Sequence, residues 1–165
     1  MPTSDVHLAL RQLFSELADG PVERGGAYIL NTGDVGLLRS LDKLSANDAS
    51  QATDGGATIA AHSQHVRYGL SLMNRWATEG GNPFADAKWD EAWKISSVTE
   101  QQWEEIRRGL RDESQRWLGE LESPRETNSA ELKGLIASIA HLAYHMGAIR
   151  QIARQARGPK EGTFS

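Results

Sequence analysis

Residues Ser138 to Pro159 read SIAHLAYHMGAIRQIARQARGP. Running into and through this stretch, Leu135, Ile139, Leu142, Met146 and Ile149 step by four, three, four and three, the spacing of a helix seam in a bundle. Asn128 or Ser129 can open the helix, and Gly158 with Pro159 predicts its end. Within this apolar run stand His141 and His145. Four residues apart, they lie within about 40° of each other around the axis and project from one face. Each precedes a seam residue by one position, so both border the core rather than open solvent.

Working outward, the same period recurs three more times. From Ser4 to Ala18 the residues Val6, Leu10, Leu13, Phe14 and Leu17 mark an amphipathic helix, with Ser4 or Asp5 as its cap and Gly20-Pro21 as its stop. From Thr58 to about Glu79, Ile59, Val66, Leu70, Met73 and Ala77 form the face of a long helix that GGNP ends. Thr99 with Gln102 has capping-box spacing, and Trp103, Ile106, Leu110, Trp117 and Leu121 carry a third stripe as far as SPRETN. Glycines break the period between residues 23 and 50, where only Val35 to Leu44 reads as helix. Residues 80–98, with two tryptophans and no period, form a long connection of the kind expected to lie over something. No run alternates with period two. The expected architecture is all-α, a four-helix bundle with additional N-terminal structure and a long loop between the second and third bundle helices, in one domain spanning 1–165.

Composition narrows the chemistry. A net charge of -4 excludes a general nucleic-acid binder, which needs a basic surface. The basic run IRQIARQARGPK sits at a helix end, where it complements the dipole. With no apolar segment of about 20 residues and no signal-peptide layout, a soluble, cytoplasmic protein without membrane partners is expected. The absence of cysteine removes disulfides, thiolate ligands and a protein thiol nucleophile together, so any metal must be held by nitrogen and oxygen.

HxxxH alone is a weak motif, and two charged imidazoles on one buried face would repel each other. A metal between neutral rings resolves that conflict. The segment ATIAAHSQHVRYGL places His62 and His65 on a second apolar helix, and His65 precedes Val66 just as His141 precedes Leu142. One of these two would complete a three-histidine site; spacing does not choose between them. His7 lies outside the arrangement and reads as solvent-facing.

TIAAHSQHV (58–66) and HLAYHMGAIRQ (141–151), together with NTGDVGLLRSLDKLSANDAS ahead of the first, make the chain resemble the DinB/YfiT-like superfamily of metal-binding four-helix bundles. The Gly147-Ala148-Ile149-Arg150-Gln151 tail makes the match more specific than HxxxH. The resemblance implies a divalent metal held by one histidine of the second helix and two of the last: His65, His141 and His145. His65 is preferred because the family's ligand precedes an apolar residue some way into a Ser/Thr-Ile helix start, which Thr58-Ile59 and Val66 fit. His62 reads first as a structural or solvent-facing histidine, with an outer partner to the metal or an extra ligand as the alternatives.

Three neutral imidazoles would leave such an ion its full charge, for Lewis-acid work on a water, an oxygen or a thiol. Zinc is the default ion and nickel follows, with iron and copper open to the same ligands. The resemblance further implies a small-molecule substrate, an enzyme of thiol-dependent S-transferase or isomerase type with a low-molecular-weight thiol cosubstrate, and a homodimer. A metal-dependent hydrolase and a non-catalytic, stress-associated metal binder are the alternatives. Around the site, Tyr144 turns about 100° from the ligands and is read as packing. Arg150 is read as a helix-end surface residue and Trp89 and Trp93 as loop anchors, with Asp86 a conceivable acid. Arg67 and Tyr68 point elsewhere, Asn31 and Asp34 serve turns, and the RRGLRDESQR charges form a solvated face.

Overall fold

The computed structural model describes residues 3–22, 26–123 and 127–160. Among the described residues it is all-helical, with six α-helices and no strand: α1 (Thr3–Asp19), α2 (Gly36–Leu41), α3 (Ala46–Ala49), α4 (Ile59–Glu79), α5 (Glu100–Glu122) and α6 (Ser129–Ile152). The four long helices meet in a cycle. α4 packs on α5 and α6, and α1 packs on the other side of the same two helices. Short α2 and α3 lean on this frame from the α1–α4 connection, α2 against α1 and α5, α3 against α4 and α5.

Local chemistry sets the helix starts. Thr58 accepts from the amide of Ala61 at the head of α4. Thr99 and Gln102 form a reciprocal capping box at α5, and Asn128 and Glu131 do the same at α6. Each cap satisfies amides that the helix itself leaves without a partner. Gly80, at φ +73°, ends α4 in a conformation costly for any residue with a Cβ. Gly20, at φ +94°, ends α1 where a Cβ would lie 2.4 Å from the Asp34 carbonyl oxygen.

Two stretches differ from the sequence reading. Val35 to Leu44 is not one helix: α2 stops at Leu41, and Ser45 opens α3 with its own capping box to Asp48. The cap at Ser45 outcompetes helix continuation because it satisfies two amides at once. The last helix ends at Ile152 rather than at Gly158-Pro159, since Ala153 turns extended and residues 154–156 form a 3₁₀ turn. The chain then folds back, and Arg157 Nε donates to the carbonyl of Arg150, one of the last-turn carbonyls without a helical partner. The helix α1 begins at Thr3, so Ser4 and Asp5, expected to cap it, are residues of its first turn, and residues 124–126 of SPRETN lie outside the described residues.

The core runs along the cycle through Phe14, Leu17, Leu41, Ile59, Trp103, Leu110, Trp117, Leu121, Leu135, Leu142 and Ile149. Burying one such aliphatic or aromatic side chain contributes about 1.5–3 kcal/mol. Both α5 tryptophans are fully buried, as their stripe predicts, and each finds a partner for its indole N–H. Trp103 donates to the Leu44 carbonyl, Trp117 to the Ser138 hydroxyl.

One expectation about a polar residue fails here. His7 is 1 % exposed, on the α1 face that carries Leu10, Phe14 and Leu17. Three, seven and ten residues separate it from them, so the helix turns it inward. The RRGLRDESQR stretch does present a solvated face, with Arg108, Asp112, Gln115 and Arg116 exposed, and from its edge Arg107 and Arg111 reach across to Asp42, clamping the turn after α2 onto α5.

Trp103→Phe keeps most of the ring's volume but strips the Leu44 carbonyl of its buried donor. We expect a loss of about 1–3 kcal/mol in urea unfolding without a change of helix content by circular dichroism.

Candidate functional site

α4 and α6 bring four histidines together. His62 and His65 sit three apart on α4, one turn from its cap, and His141 and His145 sit four apart on α6. The Nε2 atoms of three of them converge. His141 Nε2 lies 3.1 Å from His65 Nε2 and 3.0 Å from His145 Nε2. A tetrahedral ion with Zn–N bonds of about 2.0–2.1 Å separates its nitrogen ligands by about 3.3 Å, close to this spacing. These three residues, each offering one nitrogen, could hold a metal ion. Their burial suits that use: His65 and His145 are buried and His141 is partly covered.

His62 does not join the convergence. Its Nδ1 meets Nδ1 of His145 at 2.9 Å, on the far side of the His145 ring. The choice that spacing leaves open between His62 and His65 is therefore made by the turn of α4. His65 faces α6 at the level of His141, and His62 faces the back of His145.

A glycine permits this approach. A Cβ at Gly69 would stand 3.3 Å from His141 Cε1 and 3.7 Å from the Trp89 ring, tighter than the His141 ring tolerates without moving. Gly69 lies four residues after His65, on the same face, so the gap it leaves is filled by the imidazole from α6 and the indole from the 80–98 loop.

That loop does lie over something. The Trp93 ring stacks on His65 at 4.4 Å between centroids and meets His62 edge-on at 5.5 Å. Trp89 packs against His65 at 5.4 Å and against Tyr68. Both indoles keep a partly exposed surface, so they are aromatic walls of the histidine cluster rather than core anchors. Three hydrogen bonds fix the loop: Lys88 N–H to the Tyr68 hydroxyl, the Thr58 hydroxyl to the Ile95 carbonyl, and Val98 N–H to the Ser50 hydroxyl. Tyr68, expected to point elsewhere, instead faces that loop. Its position three residues after His65, on a helix facing a loop rich in tryptophan, is the signal that places it.

Other expected residues fall elsewhere. Tyr144 is not packed in the core: it is 70 % exposed, with its ring edge-on to His145 at 4.9 Å. Arg150 is not a surface arginine; it makes a 2.7 Å ion pair with Asp34, which is buried and also accepts from the Gly36 amide. Asp34 thus has the turn role its sequence suggests and a second role across the fold. Asp86 is exposed beside Arg75 and Glu79, in a different pocket. Arg67 lies over Gly109 of α5 and points away from the cluster.

Electrostatics keep the rings neutral. Burial pushes the His145 imidazole down to about 3, with positive charge on His141, His65 and His62 adding to the effect. Burial likewise lowers His65 to about 4, helped by His141 and His62. The Trp89 backbone acts weakly the other way on His65, although Nδ1 there makes no hydrogen bond of ordinary geometry. Burial lowers His62 and His141 as well. A neutral imidazole is the form that binds a cation.

Set against protein-family models, curated proteins and solved structures, the chain has no match.

Two outcomes follow from this geometry. The depressed histidines are neutral in the folded protein and take up protons more readily once unfolded. Metal-free stability should therefore be intact above pH 6.5, the ordinary histidine value, and fall as pH drops toward about 4 for His65 and about 3 for His145. Urea unfolding between pH 7.5 and 4.5 should show this slope, and His145→Gln should flatten it. Gly69→Ala gains about 1 kcal/mol in helix propensity yet displaces His141. We expect zinc affinity to fall by roughly 10-fold in chelator competition, the scale of a disturbed ligand orientation, with the melting temperature of the metal-free protein held.

Proposed function

We propose that this chain is a metal-binding helical bundle of DinB-like type, in which His65, His141 and His145 hold one divalent ion. One observation carries the reading: the Nε2 atoms of His65 and His145, on two helices, each approach His141 Nε2 at 3.0–3.1 Å in a neutral and partly buried setting. The cyclic packing of α1, α5, α4 and α6 supports the four-helix-bundle part of the reading. Zinc is the first candidate and nickel the second, because an all-imidazole set accepts either.

When bound, the ion supplies Lewis-acid charge that can acidify a thiol or a water and polarise a substrate oxygen. The chain's own residues do the rest. Three neutral ligands leave the charge of the cation uncompensated, so the site favours an anionic donor from solution. The stacked Trp93 ring shields His65 from water on one side, and Trp89 fills the gap above Gly69, which holds His141 in place. A chain without cysteine has no thiolate of its own to offer. We therefore read the function as metal-dependent chemistry on a small molecule, with a low-molecular-weight thiol as cosubstrate in an S-transferase or isomerase reaction. Hydrolysis by an activated water is the competing chemistry at the same centre.

Metal analysis of untagged protein tests the centre. We expect about one equivalent of zinc or nickel after titration, and loss of uptake in His141→Ala; less than about one-tenth equivalent in the wild type would sink the reading. For the chemistry, a panel of low-molecular-weight thiols is presented with electrophilic acceptors, and ester or amide substrates are run beside it. Turnover that depends on both metal and thiol supports the transferase reading, and thiol-independent turnover of the esters or amides replaces it with the hydrolase.

A further inference from the structure

His145 is 2 % exposed, so each nitrogen of its ring needs a partner inside the protein. Nε2 faces His141 Nε2 at 3.0 Å, within the converging triad. Nδ1 faces His62 Nδ1 at 2.9 Å. Between two neutral imidazoles that meet nitrogen to nitrogen, one ring donates and the other accepts. The two ways of arranging this have opposite consequences at the triad. With the proton on Nδ1 of His145, Nε2 is a bare lone pair directed at His65 and His141. With the shared proton on His62 instead, the His145 proton must sit on Nε2, in the space between the three nitrogens, where it excludes a cation.

We propose that His62 is a positioning residue for the metal centre: its Nδ1 accepts the Nδ1 proton of His145 and so keeps the Nε2 lone pair of His145 free for the ion. This rests on the three-histidine centre proposed above. Two features favour the arrangement. His62 is the less buried of the two rings, so it is the one whose far nitrogen carries an N–H at the smaller desolvation cost. Trp93 contacts both rings, edge-on to His62 at 5.5 Å and tilted against His145 at 5.9 Å, which fixes the His62 ring where its Nδ1 can accept. His62 belongs to α4 and His145 to α6, so the bond also sets how the ring from α6 is turned relative to the helix that carries His65.

The test compares wild type, His62→Ala and His62→Asn. Zinc affinity is measured by chelator competition, the ligand set by the visible spectrum of the cobalt-loaded protein, and the proton position by ¹⁵N NMR of the histidine rings in metal-free wild type. We expect His62→Ala to weaken zinc by about 10–100-fold with the cobalt spectrum unchanged in form. His62→Asn offers a carbonyl oxygen near the place of Nδ1 and should recover affinity to within about 3-fold of wild type. The NMR spectrum should show the His145 proton on Nδ1.

A zinc affinity within about 2-fold of wild type in His62→Ala overturns the inference, and so does an Asn variant as weak as the Ala variant. A cobalt spectrum that changes coordination in His62→Ala makes His62 a ligand and overturns it too. Should His62→Ala not fold, the NMR result in wild type decides, since a proton on Nε2 of His145 is incompatible with the role. A wild type that takes up no zinc removes the three-histidine reading and this inference together, whereas any of the other results removes this one alone.

Discussion

The neutrality of four imidazoles between α4 and α6 is the constraint around which the rest is arranged. Two helices that bury His65 and His145 must keep both rings uncharged, because desolvation and mutual repulsion oppose every proton added to the group. The helices must also approach closely, and Gly69 provides the room that any Cβ would take from His141. α1 and α5 then serve as the frame. They pack on both histidine helices and bury Phe14, Trp103 and Trp117 between them, so the separation of α4 from α6 is held by a core that contains no part of the site.

The parts outside the four long helices are tied to that frame by polar contacts. Glu16 of α1 accepts amides from Tyr28, Ile29 and Leu30, so one carboxylate organises the loop that follows α1. Asp34, in the same connection, takes the Gly36 amide and the Arg150 guanidinium, joining the start of α2 to the end of α6. Gly158 closes over that pair; a Cβ there would lie 2.1 Å from the Asp34 carboxylate. Removing one partner of a buried pair of this kind costs about 3–5 kcal/mol, because the other charge is left without compensation. The C-terminal segment past Ile152 is therefore packed against the N-terminal connection and not an extension of the helix.

The loop between α4 and α5 has a different task. Pinned by Tyr68, Thr58 and Ser50, it has the rigidity of a wall, and it carries Trp89 and Trp93 onto the histidines. Indole rings suit that place: they lower the local dielectric, which keeps the imidazoles neutral, and leave partly exposed faces beside the cluster.

Much of this was legible along the chain. Periods near 3.6, the capping box at Thr99, the helix start at Asn128 or Ser129, and the glycine at position 80 act within a few residues, so the sequence carries them in full. The i, i+4 spacing of His141 and His145 fixes a shared face for the same reason. Contacts between distant segments were not legible. Nothing local says that Arg150 finds Asp34, that His7 turns inward, that Tyr144 stays outside, or that α6 stops at Ile152 because the following turn folds back onto it. Which of His62 and His65 meets Nε2 of His141, and which stands behind His145, depends on how two helices are rotated against each other. That rotation is set by side-chain packing across the whole cycle of helices. Only the tertiary structure decides it, because the energy that fixes it is spread over residues far apart in the chain.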